Sequence, residues 1–577
     1  MKKQLPYGLA NFERIATENF FYVDKTMYVE MLETVRFPIF LRPRRFGKSL
    51  FTQILRCYYD IKMKDRFDEI FGKYYIGKNP TGKQNKFFFL SFAFTGMDIY
   101  ADMEERELKS KFDTSLNKSV QTFLLHYKDI FNLTMADIYS LRDFYINDGV
   151  AAVQNILSMV VGLGYRMYIV IDEYDSLTNA LAIRYQNSDD TDNMYLKILS
   201  KGGFFRNFFE MLKRETQTSI EQVYITGILP ITITDMTSGF NIATWIHFAP
   251  DFVNMLGITK TEFEMLVDEV YAEYPNITHD KQAIKDVIKK YYNGYRFLPT
   301  AEEVYNPMMT LYFLDSLARN NQYPTELADT NLKMNYDQIA FIIGQNHEGA
   351  KRIITEITEN KKYTSSSTLR VTFDMKNFKE GTFIVEGFFY VGILTQSPMI
   401  DVLVVPNLVT YTFALDYFNE VQRFKYINAV ITVWITAYKQ RSDVKELIDG
   451  FFRDIIQKYP GIFFTNVNES FYHGLLFHVL YNHTQKDIYE VLPEFNLPNG
   501  RADIVLKTYP HSRAPQQIHD LFEIKRVAKG DSDALLNAKF TEAIDDIKHY
   551  RTGEYATWRG IAVCFRGNTD YKIEVFE

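Results

Sequence analysis

Two stretches of the 577-residue chain bring together residue types that can do chemistry. The first is Arg42-Pro43-Arg44-Arg45-Phe46-Gly47-Lys48-Ser49, which follows the apolar run at 37–41 (FPIFL) and opens a helical pattern. A phosphate loop needs a small residue where backbone approaches phosphate, a lysine for the β/γ-phosphates and a hydroxyl for magnesium. Gly47, Lys48 and Ser49 fill these roles, although the pattern GxxxxGK[ST] asks for glycine where Arg42 stands. Taken alone, these eight residues also read as a basic surface turn. Residues 167–173 (MYIVIDE) then form a strand-like run ending in Asp172 and Glu173. A carboxylate at such a strand end can hold the magnesium shell, and the next can polarise an attacking water. An acidic turn after an ordinary strand is the alternative, but the two motifs in this order point to a nucleotide site. Thr226, in residues 223–230 (VYITGILP), is placed either to sense the γ-phosphate or to fill a buried strand.

The second stretch is Gly500-Arg501-Ala502-Asp503-Ile504-Val505-Leu506, followed 20 residues after Asp503 by Glu523-Ile524-Lys525. Metal-dependent phosphodiester cleavage needs converging carboxylates and a cation near the attacking water. Side chains alternate along a strand, so Glu523 and Lys525 share a face, and Asp503 joins them if its strand pairs alongside. The tripeptide E-x-K also occurs at 107–109 and 359–361, so spacing alone carries little. The apolar strand setting (LFEIK) and the preceding Asp503 separate this copy from the others. A charged hairpin with a surface ion pair is the competing reading. His473, beside Tyr472, reads either as a metal ligand or as a structural histidine near an aromatic core, and the structural reading is preferred.

The elements that must position these residues divide the chain in three. Short apolar runs at 37–41, 86–94, 167–171 and 223–228 alternate with amphipathic helical stretches such as 48–59 and 204–213, which predicts an α/β domain over 1–255. Residues 256–435 read as mainly helical, with a Ser/Thr-rich break at 363–368. Residues 440–577 read as helices at 444–457 and 469–481, strands at 502–506 and 521–525, a helix at 533–550 and a strand at 560–565.

Composition sets the outer limits. A 46% hydrophobic, 24% charged chain with 40 Tyr and 48 Phe has ample material for cores. Two cysteines, Cys57 and Cys564, exclude a disulfide framework and a cysteine-only zinc site. There is no apolar leader near the N-terminus and no run of 18 apolar residues, so the expected location is cytoplasmic and away from the membrane. Net charge is −7, and residues 441–577 hold 17 Lys and Arg against 20 Asp and Glu. This balance argues against coating DNA by bulk charge; phosphate contacts would come from a local patch such as Arg501, Lys525, Arg526 and Lys529, or else from a partner or another domain.

Tyr22-Val23-Asp24-Lys25-Thr26, the RPRRFGKS loop, IDEYD at 171–175, ITG at 225–227, YNGYRF at 292–297 and VYNP at 304–307 together resemble the AAA-ATPase-like family of bacterial proteins. In that family arginine commonly replaces the first loop glycine. The resemblance implies a P-loop NTPase-like parallel sheet with Lys48 and Ser49 as Walker A residues and Asp172 and Glu173 as Walker B residues. Arg44 and Arg45 either neutralise phosphate or face solvent, and Arg296 reads as a structural arginine in an aromatic cluster. The last segment resembles the PD-(D/E)XK nuclease superfamily, implying a C-terminal restriction-endonuclease-like α/β domain. Glu469 matches the acidic residue of its first helix, and Glu494 the acidic position before the glycine turn. Lys548 and Tyr550 lie on the closing helix, where Asp546-Ile547 stands in place of the family's Gln-Ile. By this resemblance Asp503 and Glu523 ligate magnesium, Lys525 positions water or stabilises charge, and Glu469 assists. The expected cofactors are ATP and Mg2+, and the expected partners are nucleic acid, DNA foremost, and further copies of the chain. The function that follows is nucleotide-gated cleavage of nucleic acid; the alternative is a nucleotide-binding switch or scaffold that cleaves nothing.

Overall fold

The structure is a computed structural model. It describes residues 2–94, 97, 103–184, 194–230, 233–234, 239–324, 326–327, 342, 353–354, 356–357, 362–364, 369–372, 381–413, 434–436, 438–439, 443–458, 469–484, 489–508 and 519–577. Five strands build the N-terminal sheet: β1 (Pro38–Leu41), β2 (Phe88–Ala93), β3 (Met167–Asp172), β4 (Ile220–Gly227) and β5 (Thr244–Trp245). All pairings are parallel and the order is β2-β3-β4-β1-β5. The near-continuous apolar runs follow from this, since β1 and most of β3 and β4 are buried on both faces. Parallel pairing also brings the C-terminal ends of β1, β3 and β4 to one edge of the sheet, the edge where open α/β sheets bind ligands. Helix α1 (Lys48–Tyr59) leaves that edge directly after β1. It packs through Phe51, Ile54, Leu55 and Tyr58, and its Tyr59 ring stacks on Tyr168 of β3 at 4.3 Å. Helices α2 (Glu105–Tyr127) and α3 (Phe204–Glu215) bring further phenylalanines to the sheet, and Phe92 and Phe94 meet Phe208 at 5.2 and 5.9 Å. Part of the surplus of aromatic residues is placed here.

Three capped helices follow: α4 (Lys260–Glu273), α5 (Lys281–Tyr292) and α6 (Pro307–Asn320). Thr259 and Glu262 form a reciprocal capping box at the start of α4. Asp280 caps α5 by accepting from the Ala283 N–H at 2.8 Å. Asn306 caps α6 with Pro307 at the first helical turn, which is the local meaning of the VYNP motif. The middle region is not purely helical. Short strands β6 (Lys362–Thr364), β7 (Thr395–Gln396) and β8 (Val402–Val404) form an antiparallel sheet beside helix α7 (Gly381–Val391). The Ser/Thr-rich break at 363–368 thus begins inside β6, and its residues 365–368 lie outside the described residues.

The C-terminal sheet has the order β13-β12-β11-β10-β9. Its strands are β9 (Tyr489–Leu497), β10 (Gly500–Thr508), β11 (Asp520–Val527), β12 (Arg559–Arg566) and β13 (Asp570–Phe576). Only β11 and β12 pair in parallel, joined through helix α9 (Asp533–Tyr550). Helix α8 (Glu469–Thr484) precedes the sheet, and its Tyr472 ring stacks on Phe565 of β12 at 4.8 Å. β9 and β13 go beyond the strands expected from sequence, and the helix expected over 444–457 ends as an α-helix at Asp454. Cys57 and Cys564 are buried free thiols. Among the described residues no helix is long and apolar enough to cross a membrane.

Candidate functional site

At the end of β1 the chain turns through Arg45 (φ 68°) and Gly47 (φ 91°) into α1. A side chain at Gly47 would meet no atom within 4 Å, so glycine is needed there for its backbone angle, and the space above the helix start is open. No side chain caps α1, which leaves its first N–H groups for an anion. The Lys48 ammonium is buried under the loop and donates to the carbonyls of Arg42 (2.8 Å) and Pro43 (2.9 Å). Burial pulls its pKa down to about 8, against the pull of Asp172, Glu173 and Asp175.

Asp172 sits opposite, at the end of β3. Burial raises its pKa, while a hydrogen bond from Ser49 and the charge of Lys48 work the other way. Its Oδ1 is buried with no hydrogen-bond partner. Glu173 follows in a left-handed conformation (φ 49°), its pKa raised by burial and by Asp172. A partnerless buried carboxylate oxygen beside a hydroxyl and a lysine fits a divalent cation. Arg44 is exposed, with its charge felt at Lys48 and Glu173; Arg45 is exposed as well. An apolar cleft opens beside Gly47, lined among others by Tyr22, Val23, Phe46, Leu256 and Pro307.

Arg42 points away from this edge. Its guanidinium is buried and donates to the carbonyls of Leu41 (2.9 Å), His247 (3.0 Å) and Val253 (2.6 Å). It lies over the rings of Phe40 at 4.3 Å and Phe297 at 3.9 Å. The residue in the first-glycine position is therefore a clamp that fastens the loop to the segments behind it. Thr226 requires a correction: it is fully buried and donates to the Phe40 carbonyl at 2.8 Å, so its hydroxyl ties β4 to β1 and is not directed at a phosphate. Asp175, the last residue of IDEYD, accepts from the N–H groups of Ile228 (3.1 Å) and Leu229 (2.8 Å), fixing the end of β4. Arg296 donates to the Ala301 carbonyl and to Glu303, a structural role.

The second site lies where β10 and β11 part. Their ladder ends at the pair Ile504–Phe522. One turn of the strand further on, the Ile524 N–H donates to Asp503 Oδ2 at 2.7 Å, so a side chain replaces the missing backbone partner. His473 Nε2 from α8 lies 3.1 Å from the same oxygen and 3.0 Å from the Ile524 carbonyl. Two acceptors at one nitrogen make Nε2 the protonated one, so His473 orients Asp503 in this state. Burial alone would lower the His473 pKa, but Asp503 overrides it and the net shift is upward.

Glu523 and Lys525 share one face of β11, with Nζ donating to Oε1 at 2.6 Å and also 3.0 Å from Asp546 of α9. Burial, then Asp503, pushes the Glu523 carboxyl up, and its Oε2 is buried without a partner. Burial opposes the charge on Lys525, but its carboxylate neighbours prevail and hold its pKa above the usual value. Glu469 lies one helical turn before His473, 4.0 Å from Nε2, its pKa raised by burial. Glu494, in a left-handed conformation (φ 50°), stands across the β9–β10 ladder from Asp503. Ligand atoms of His473, Glu494 and Asp503 lie within 4.8 Å of one another. The partnerless Glu523 oxygen and this convergence of carboxylates fit a divalent cation. Sequence reasoning missed His473 and Asp546 here; the four-residue spacing of Glu469 and His473 on one helix was the available signal for the first.

With this geometry in view, comparison with known proteins gives two matches inside the chain. Residues 6–237 match the AAA-ATPase-like family, described as a predicted AAA-ATPase, and residues 467–570 match the PD-(D/E)XK nuclease superfamily. The chain joins an AAA-ATPase-like domain to a PD-(D/E)XK nuclease superfamily domain. An "Uncharacterized protein in vnfD 5'region" of Azotobacter chroococcum mcd 1 is 24% identical over 324 residues, 53% of this chain. The chain spans about half the length of that relative, 51%. The ATPase-like domain thus holds the Lys48–Asp172 site, and the nuclease domain holds Asp503, Glu523 and Lys525. Domains of these two kinds generally use nucleotide and a divalent metal.

Proposed function

We propose that the chain binds ATP with Mg2+ at the phosphate loop and uses that state to control Mg2+-dependent cleavage of nucleic acid, DNA foremost, in its C-terminal domain. The observation that carries this reading is shared by the two sites. Each has a buried carboxylate oxygen without a partner, Asp172 Oδ1 and Glu523 Oε2, next to a buried lysine. Such an oxygen is costly to bury unless something cationic completes it.

In the ATPase-like domain Ser49 and Asp172 would hold the cation, Lys48 and the open N–H groups of α1 would hold phosphates, and Glu173 would orient water. The apolar cleft beside Gly47 offers a base its seat. In the nuclease domain Asp503 and Glu523 would hold the cation, with Glu494 and Glu469 at its margin. The metal, when bound, polarises a phosphoryl oxygen and makes water a better nucleophile. Lys525 would neutralise charge developing on the phosphate, with its ammonium held by Asp546 at 3.0 Å. His473 keeps Asp503 aimed. We retain the division 1–255, 256–435 and 440–577 as our reading of the domains. A switch or scaffold role remains the second reading, favoured by the net negative charge of residues 441–577.

Two measurements test this. Lys48→Ala should abolish ATP binding by calorimetry, and unchanged affinity would overturn the phosphate-loop assignment. Asp503→Ala and Lys525→Ala should each remove metal-dependent nicking of plasmid or single-stranded DNA. A wild-type chain that cuts no nucleic acid with Mg2+ or Mn2+, with or without ATP, leaves the switch.

A further inference from the structure

Among the described residues, Glu494 is the carboxylate of the nuclease site that the middle region reaches. Arg501 Nε contacts its Oε2 at 2.8 Å, and Lys290 of α5 donates to its Oε1. Both oxygens therefore face cations, which offset the charge of Glu494 and weaken it as a metal ligand while they are in place. Arg501 is its neighbour in the same sheet, but Lys290 comes from the middle region, 204 residues earlier in the chain. The next residue, Tyr291, packs its ring 5.9 Å from Phe477, which lies one turn after His473 on α8. The end of α5 thus touches both sides of the nuclease site.

The same helix end leads straight to the phosphate loop. After Tyr292 the chain passes Gly294 and reaches Tyr295, whose ring meets Phe46 of the loop edge-on at 4.9 Å. Phe297 meets Phe46 at 5.5 Å and lies against the Arg42 guanidinium. The intervening backbone has no slack. Asn407 donates to the Asn293 carbonyl at 2.9 Å, and a side chain at Gly294 (φ 92°) would come within 1.9 Å of the Pro406 carbonyl oxygen. Phe46 also lines the cleft beside Gly47. Four residues of packed chain separate Tyr295, the loop's aromatic contact, from the lysine that occupies Glu494. Coupling between sites is carried by contiguous packed elements of this kind when both sites bias the same element.

We infer that Lys290 is a positioning residue of the nuclease site, a latch that competes with the divalent cation for Glu494 until nucleotide at the phosphate loop shifts the end of α5. This inference rests on the nuclease reading above and names how that site is regulated. In the latched state Lys290 and the cation compete for one carboxylate, so metal binds weakly. Moving Tyr295 with Phe46 draws Lys290 off and frees Glu494.

The test is Mn2+ binding to the full, nucleotide-free chain, followed by electron paramagnetic resonance and calorimetry. Lys290→Met should bind Mn2+ about tenfold more tightly than wild type and should nick DNA without nucleotide. Lys290→Arg, which keeps a cation at the position, should restore wild-type affinity and nucleotide dependence. Lys290→Gln repeats the test should a methionine disturb packing against Tyr291. Asp503→Asn identifies the site by losing Mn2+ binding. If Asp503→Asn loses the metal but Lys290→Met and Lys290→Gln bind it within twofold of wild type, the latch is overturned and the nuclease site stands. If Asp503→Asn binds Mn2+ unchanged, the site reading falls and the latch falls with it.

Discussion

Replacing Arg42 by glycine would restore the usual phosphate-loop pattern, yet this structure predicts a weaker protein. Three buried carbonyls, of Leu41, His247 and Val253, accept from the guanidinium at 2.9, 3.0 and 2.6 Å. A buried acceptor left without its donor costs about 1–3 kcal/mol, so the three together represent roughly 3–9 kcal/mol. Loss of the cation over Phe40 and Phe297 adds about 1–2 kcal/mol. Against this stands the cost of burying the charge, visible as a pKa brought down from 12.5 to about 9. At 1.36 kcal/mol per unit, removing it returns about 5 kcal/mol. The balance is a loss of about 3 kcal/mol, with the phosphate loop no better seated because its anchor to 247–253 is gone. Urea unfolding read at the first transition, with nucleotide affinity by calorimetry, measures both effects. Arg42→Gly at wild-type stability, within about 0.5 kcal/mol, and with tighter nucleotide binding would refute the clamp.

Other outcomes follow from buried groups near the same edge. Asp175→Ala leaves the Ile228 and Leu229 N–H groups without their acceptor and should cost about 2–4 kcal/mol in urea unfolding, with Asp175→Asn recovering part of it. His247 is buried against Arg42 and Tyr390, and burial brings its pKa down to about 3. As pH falls from about 6.5 toward 3 the unfolded chain takes up a proton that the folded ring refuses. This residue therefore removes up to about 1.4 kcal/mol of stability per pH unit over that window. His247→Asn should flatten the acid limb of the stability profile measured by denaturation at several pH values.

Much of the N-terminal domain was legible because parallel strands buried on both faces leave unbroken apolar runs. The run at 37–41 and the helix over 48–59 appear within a residue of their places. β5, two residues long, is made by pairing with β1 and carries no pattern of its own. β9 was hidden because polar and charged residues interrupt it, and Glu494 and Pro493 look like a turn before the glycine. In the candidate sites, the placement of Asp172, Glu523 and Lys525 on strands and of Lys48 at a helix start is legible from residue type and pattern. The direction of Arg42 was not, since its partners at His247 and Val253 lie more than 200 residues away. Thr226 could be read two ways, and only its bond to Phe40 decides between them. His473 was set aside as structural; its contact with Asp503 depends on how α8 crosses the end of the β10–β11 ladder, which no local pattern encodes.

The Lys290–Glu494 contact and the Tyr291–Phe477 packing also bear on how such a chain can diversify. A nuclease domain exchanged as a cassette, cut near residue 467, would leave behind the helix end that contacts Glu494 and Phe477. The recipient would have to supply a matching lysine and tyrosine from its own middle region. Recombination that keeps 281–297 together with the C-terminal domain should therefore yield working hybrids, whereas joins placed between them should yield folded but unregulated ones.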